Sequence, residues 1–544
     1  MSSVVSGPAL ADEPGLGALT LPGFLREVTA RYSEREALVL GETRWTYGEL
    51  WERALEVARA LRACGLGKDG RVGVLMTNRP EWLAAVFGAS LAGGVAVTLS
   101  TFSTPAELDQ LLRTSCVSVL LFEKTVLKKD FSAMLDELEP RIATAAPGSL
   151  RSARYPFLRD VAAFGDESWA AFLARGRNEP RELELPVHPS DAGVLFFSSG
   201  STSKPKGILS AHRGVCIQLW RFRRMYGFGP EDTVRCWTAN GFFWSGNFGM
   251  AIGSTLAGGG SLVLQRTFDA AEALALMQSE RVTFPVAWPH QWAQLQAAPN
   301  WDSVDLSSLR FVDSDTALAR HPTVSSNWSE PGHAYGNTET FTITTGYPAN
   351  TPAEVHAGSS GVPLPGVTVK IVDPLGGSVV PRGGRGEICV KGPTLMLGYV
   401  GTPLDETLDA EGFFRTGDGG YLDGDGRLYW EGRLTDIIKT GGANVSPLEV
   451  DEALVSHHGV KFARTVGLPH ETLGEVVVAC IVAHDGAGLT GENVRAFLKE
   501  RLASYKVPRQ VLFFEESEIA LTGSAKIKTS DLRELAAKRL DTAH

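Results

Sequence analysis

The chain is 544 residues long, 43% of them apolar, and carries a net charge of -10. That length supports more than one core, the apolar share is ordinary for a globular protein, and the acidic balance argues against a nucleic-acid binder. No apolar stretch approaches bilayer length, Met1 to Leu21 has neither a basic start nor a continuous apolar run, and the cysteines are scattered without C-x-x-C or metal spacing; a soluble cytoplasmic protein with reduced thiols, engaging neither nucleic acid nor membrane, is expected.

Residues 22–64 carry two amphipathic helix patterns. The second, Tyr47 to Ala63, follows Thr46 as N-cap with Glu49 at capping-box spacing, and Gly65 and Gly67 can end it. Arg71 to Met76 reads as a buried strand, Pro80 to Leu91 as a helix, Val95 to Leu99 as a strand, Pro105 to Leu112 as a helix and Val117 to Phe122 as a strand. Strands alternating with helices predict an α/β architecture with a doubly wound parallel sheet. Residues 128–190 are less periodic and read as including surface segments.

Val194 to Phe197 is a short apolar run suited to a buried strand. It leads directly into Ser198-Ser199-Gly200-Ser201-Thr202-Ser203-Lys204-Pro205-Lys206-Gly207. Backbone N–H groups of a Gly-containing turn make a concave anion site, hydroxyls add donors and a Lys adds a compact positive charge, so this loop suits a polyphosphate. A Ser/Gly linker is the plain alternative, and the P-loop pattern is absent.

Ala211 to Arg224 reads as helical. Between Trp237 and Gly249, aromatic residues interleave with Gly, and Phe242, Trp244, Asn247 and Phe248 fall here. Such a stretch suits a pocket wall and equally suits core aromatics; the same two readings apply to Trp288. A turn at Val312-Asp313-Ser314-Asp315-Thr316 precedes His333-Ala334-Tyr335-Gly336-Asn337-Thr338-Glu339. There Tyr335 can stack on a purine, Thr338 can bond a phosphate oxygen and Glu339 is a hard ligand for Mg²⁺, with a surface turn as the plain reading. A β region follows, holding Gly398-Tyr399 and Arg415-Thr416-Gly417-Asp418. The Asp418 carboxylate can accept both hydroxyls of a ribose. Gly432-Arg433-Leu434-Thr435 and Lys439-Thr440-Gly441-Gly442 come next, and Thr522 to Lys528 lies near the end.

Phe197 to Gly207 resembles the phosphate loop of the adenylate-forming superfamily, which holds acyl-CoA synthetases, peptide-synthetase adenylation domains and luciferases. That loop reads roughly [ST]-S-G-[ST]-T-G-x-P-K-G, and this chain departs from it at Ser203. Further matches at Thr46 to Leu50, Tyr335 to Glu339, Arg415 to Asp418 and Gly432 to Pro447 extend the resemblance from about Leu21 to Lys528. It implies a large N-terminal domain, 1–434, of doubly wound parallel sheets plus a β region, and a small mobile α+β domain, 435–544, turning about a hinge near Thr435.

The implied chemistry has two steps. A carboxylic acid attacks ATP to give an acyl-adenylate; a thiol, that of coenzyme A, then takes the acyl group. The resemblance places Ser199, Gly200, Ser201, Thr202, Lys206, Asp315, Tyr335, Gly336, Thr338, Asp418 and Arg433 on the nucleotide. Glu339 holds Mg²⁺, and Lys526, with Lys206, Thr202 and Glu339, serves catalysis. Phe242, Trp244, Asn247, Phe248 and Trp288 line the acyl pocket, with Trp244-Ser245 where the family often has a His, so a bulky apolar or aromatic acid is expected. Lys439, Gly441 and Gly442 contact CoA. Ser203 and Ala525 stand where the family has Gly, which implies one of two outcomes: a weakened adenylation step with a second enzyme that supplies acyl-AMP, or, where Ala fits the backbone without a positive φ, no loss. A carrier-protein thiol in place of CoA, and a non-catalytic nucleotide- or acyl-binding relative, stay open.

Overall fold

The computed structural model describes residues 1–181, 187–198, 205–331, 333–436, 438–440, 443–470, 473–502, 506–519 and 529–541. The chain forms two compact units: Ser6–Thr368 with Val390–Phe414, and Met1–Val5 with Val369–Cys389 and Arg415–His544. The strands that carry Asp418 and Arg433 fall in the same unit as the C-terminal residues. All six cysteines are free, and no helix among the described residues is long and apolar enough to cross a membrane.

In the larger unit, a seven-stranded sheet runs in the order Gly398–Tyr399, Lys206–Ala211, Ala192–Ser198, Val95–Thr98, Arg71–Leu75, Val119–Glu123, Asp160–Phe164. From Ala192–Ser198 onward every neighbour is parallel; the first two strands are antiparallel additions. A second sheet has Phe284–Val286, Arg235–Thr238, Ser261–Leu264 and Glu36–Leu40 in parallel, with Thr43–Thr46 antiparallel at its edge. The helix Pro80–Leu91 is apolar on nearly every side and almost wholly buried, because it packs against strands of both sheets and against the helix Tyr47–Ala63. The capping box of Thr46 and Glu49 forms as expected, and Gly65, at φ 78, ends that helix in the left-handed region.

Two elements differ from the sequence expectation. The hairpin Glu36–Thr46 interrupts the two helix patterns of residues 22–64 and joins the second sheet. The strand Asp160–Phe164 completes the first sheet within a stretch read as surface segments. Helix His212–Met225 starts at a buried imidazole: burial pushes His212 down to about 4, and its neutral Nδ1 accepts the Leu21 N–H at 3.3 Å.

The strand Phe414–Leu422, in the smaller unit from Arg415 onward, and Leu428–Arg433 are antiparallel neighbours at one edge of a five-stranded sheet. Beyond them, Gly474–Ala483 is flanked by Val460–His470, Ile438–Thr440 and Gln510–Phe513. Val477, Ala479 and Ile481 face one core, with Val450, Leu454, Val494 and Leu498 of two helices. Val476, Val478, Cys480 and Val482 face another, with Leu532 and Ala536. The strand is therefore apolar without alternation, because period-two side chains are covered on both faces.

Candidate active site

The expected phosphate loop joins two strands with a defined register. Ala192–Ser198 pairs with Lys206–Ala211, and Ser198 stands opposite Lys206. The loop therefore leaves the carboxyl end of a parallel strand, where open α/β sheets bind their ligands. Ser199, Gly200, Ser201, Thr202 and Ser203 lie outside the described residues, as do Gly441, Gly442, Ala525 and Lys526. Lys206 is exposed at the head of the return strand, and its Nζ lies 4.8 Å from the ring centroid of Tyr399.

Glu339 reaches the same place through a tightly folded loop. Thr338–Thr340 makes a single turn capped by Asn337, whose side chain accepts the Thr340 N–H. Phe341 and Thr342 follow at φ 47 and 78. Left-handed backbone of this kind costs about 1–3 kcal/mol per residue and persists only where surroundings hold it. Here the Thr342 N–H donates to the Asn337 carbonyl and the Thr344 N–H to that of Tyr335. The Phe341 ring is fully buried against Phe196 at 5.6 Å and Phe248 at 6.2 Å. Phe196 belongs to the strand that leads into the expected phosphate loop, so Glu339 is fixed to that strand through Phe341.

The Glu339 carboxylate is half-buried. Its Oε1 accepts the Tyr399 hydroxyl at 2.8 Å, and the Met396 N–H donates to its carbonyl at 2.7 Å. Among the described residues no hydrogen bond reaches Oε2, and no cluster of three or more His, Cys, Asp or Glu side chains forms a closed metal site. A lone carboxylate with one oxygen open fits Mg²⁺, which takes one or two protein carboxylates and completes its shell with water and phosphate oxygens.

The aromatic stretch separates into two kinds of side chain. Phe242 and Phe248 are core rings, packed on Trp82 at 5.2 and 5.9 Å. Asn247 is also buried, donating to the Gly241 carbonyl at 3.2 Å. Trp244 is partly exposed and continues a ring series, Phe102 to Phe243 at 5.7 Å and Phe243 to Trp244 at 5.3 Å. Phe102 is half-exposed, and the Thr98 hydroxyl ties the Phe243 carbonyl to the end of its strand. Ser245 Oγ lies 3.4 Å from Thr338 Oγ1, so this ring series adjoins the turn that carries Glu339. Trp288 is exposed just before the helix Pro289–Gln296. Tyr335 is largely buried in a two-residue strand opposite Thr345. Asp315 is exposed in a turn where its N–H donates to Asp313 Oδ1.

In the smaller unit, Asp418 and Arg433 stand opposite each other on paired strands. Arg433 Nε lies 3.0 Å from Asp418 Oδ1, and its Nη1 donates to the Thr416 carbonyl at 2.7 Å. Gly417, at φ 72, allows the turn of backbone before Asp418. The carboxylate is buried while its Arg partner is half-exposed. Thr435 is exposed in the turn that follows, where the Leu434 N–H donates to the Gly417 carbonyl at 2.8 Å. Lys439 is exposed, with its N–H held by Glu475 Oε2 at 2.8 Å. Thus Lys206, Thr338, Glu339 and the ring series belong to one unit, and Asp418, Arg433, Thr435 and Lys439 to the other.

Sequence reasoning gave no part to Tyr399, Ser245 or Phe341. Gly398-Tyr399 stood out as a pattern, but its contact partner is 60 positions away.

Residues 25–400 match the family described as AMP-binding enzyme, and residues 449–526 match the AMP-binding enzyme C-terminal domain. Feruloyl-CoA synthase from Amycolatopsis sp is 33% identical over 502 residues, covering 91% of this chain and 94% of its own. Indoleacetate–CoA ligase from Aromatoleum aromaticum is 30% identical over 510 residues, covering 93% of this chain and 96% of its own. Among solved structures, the anthranilate CoA ligase AuaEII in complex with anthranoyl-AMP aligns at a TM-score of 0.78 with 25% identity, covering 97% of this chain and 99% of that one.

Proposed function

The chain belongs to the AMP-binding enzyme family and is an acid–thiol ligase of its adenylate-forming kind, and from that premise we propose that it converts a bulky planar acid, aromatic or otherwise apolar, into its CoA thioester through an acyl-adenylate. The observation that carries this reading is the ring series Phe102, Phe243 and Trp244, joined through Ser245 to Thr338. Flat apolar faces favour a planar acyl group, and these adjoin the Glu339 turn. The names of the feruloyl, indoleacetate and anthranilate relatives point to the same class of acid.

In the first step an oxygen of the carboxylate attacks the α-phosphorus of ATP, the bond to the bridging oxygen breaks and pyrophosphate leaves. Most of the gain comes from positioning and charge neutralisation. Lys206 and the 199–204 loop hold the β- and γ-phosphates, Thr338 bonds a phosphate oxygen, and Asp418 and Arg433 hold the ribose. Glu339 would hold Mg²⁺, which would supply neutralisation of the phosphate charge. Lys526 holds the carboxylate against the α-phosphate. In the second step residues 435–544 turn about Thr435, so that Lys439 and Gly441-Gly442 replace Lys526. The CoA thiol loses its proton to solvent and its sulfur attacks the carbonyl carbon, and AMP leaves with both electrons of the broken acyl–oxygen bond. Ser203 and Ala525, the two departures from Gly, serve the first step, which makes adenylation the slower half-reaction.

Thioester formation across a panel of acids, with ATP and CoA, tests this reading. Planar aromatic acids are expected to exceed short aliphatic acids in kcat/KM by about tenfold or more, the scale on which apolar pockets discriminate. A preference for acetate or propionate would contradict it.

A further inference from the structure

Tyr399 contacts two oppositely charged side chains, Lys206, proposed for the phosphates, and Glu339, proposed for the metal. It lies in the edge strand Gly398–Tyr399, which pairs with Ile208 and Leu209. The strand is fixed on both sides of the ring. The Leu397 N–H donates to Leu209 and the Val400 N–H to Gly207, at 2.7 and 2.8 Å. Phe414 packs against the ring at 6.4 Å. From this position the hydroxyl donates to Glu339 Oε1 at 2.8 Å, and Lys206 Nζ lies 4.8 Å from the ring centroid.

A Lys and a Glu brought to one place would ordinarily pair, and each would then be less available to phosphate or metal. Among the described residues, Lys206 and Glu339 form no ion pair with each other. The phenol supplies each with a separate partner: a hydrogen bond for the carboxylate, which spends one oxygen and fixes the other, and a ring face for the ammonium, which attracts it without neutralising it.

We propose that Tyr399 is a positioning residue, which orients Glu339 for the metal and keeps Lys206 from pairing with it. This rests on the reading of Glu339 as the metal ligand and Lys206 as a phosphate cation. The hydroxyl acts through Glu339, so its removal should alter the magnesium requirement of the first half-reaction and leave the second untouched.

The test is Tyr399→Phe, which keeps the ring and removes the donor, alone and combined with Glu339→Gln. ATP binding is followed by calorimetry over a magnesium titration, with pyrophosphate exchange and thermal melting alongside. In Tyr399→Phe the magnesium needed for half-maximal ATP binding should rise about tenfold, the scale of one hydrogen bond to a charged group. The melting midpoint and thioester formation from synthetic acyl-adenylate should stay unchanged. In the Glu339→Gln background the same change should add nothing, since the two act as one unit. An unchanged magnesium requirement in Tyr399→Phe would overturn the proposal. So would an equal effect in both backgrounds, or a parallel fall in both half-reactions, which marks a merely structural role. A Glu339→Gln variant with normal magnesium dependence would overturn the metal reading itself, and the proposal with it.

Discussion

Gly336→Ala is expected to reduce ATP–pyrophosphate exchange by about a hundredfold or more, the cost of a displacement of about 1 Å in a catalytic group. A Cβ at this position would lie 1.6 Å from the Thr342 carbonyl oxygen, 2.6 Å from its carbon and 2.7 Å from the Ile343 Cα. All three are backbone atoms, so no side chain can swing aside. The Thr342 N–H is bonded to Asn337, and Thr342 already holds a left-handed conformation. Relief therefore has to come from moving the 337–343 turn, and that turn carries Thr338 and Glu339. Phe341 remains anchored in the core, so the global fold survives while the turn shifts. Exchange measured beside circular dichroism checks this; a folded Ala variant with wild-type exchange would contradict the loop geometry.

Glu339→Gln should cost a similar factor by a different route. The amide keeps the shape and can still accept the Tyr399 hydroxyl, and the Met396 bond goes to the Glu339 main chain. Only the charge is lost. Charge stabilisation by a bound metal is worth several kcal/mol, and each ~1.4 kcal/mol is tenfold in rate, so exchange should fall about a hundredfold. Melting temperature should not change, and added magnesium should recover part of the loss. Exchange at the wild-type rate under limiting magnesium would remove Glu339 from the metal site.

Several of the elements that position this site are legible in local sequence because local physics decides them. The Thr46 and Glu49 cap, the Pro80 helix start and the apolar runs that become parallel strands each rest on neighbours within a few residues. The hairpin Glu36–Thr46 was not, because its reason to exist is remote. Glu36 is held by Arg235 and Ser261 of the sheet it joins, as well as by Arg44. Nor can a sequence tell a core ring from a pocket ring. Phe242 and Phe248 differ from Phe102 and Trp244 only in what packs around them, Trp82 in the one case and half-open surroundings in the other. The Asp418–Arg433 pair was visible as two motifs, but its opposition comes from strand register. Tyr399 was legible only as part of the Gly398-Tyr399 pattern, and its role was not, since its meaning lies in Glu339 and Lys206.

A chain that makes an acyl-CoA through an acyl-adenylate must release AMP and thioester together. The most direct measurement follows a planar aromatic acid with ATP and CoA, counting AMP and thioester, and repeats the reaction with the synthetic acyl-adenylate in place of acid and ATP. One AMP per thioester is expected in both reactions, with the supplied adenylate consumed faster than it is made from ATP. ADP as the product, or acyl-adenylate left intact in the presence of CoA, would contradict it.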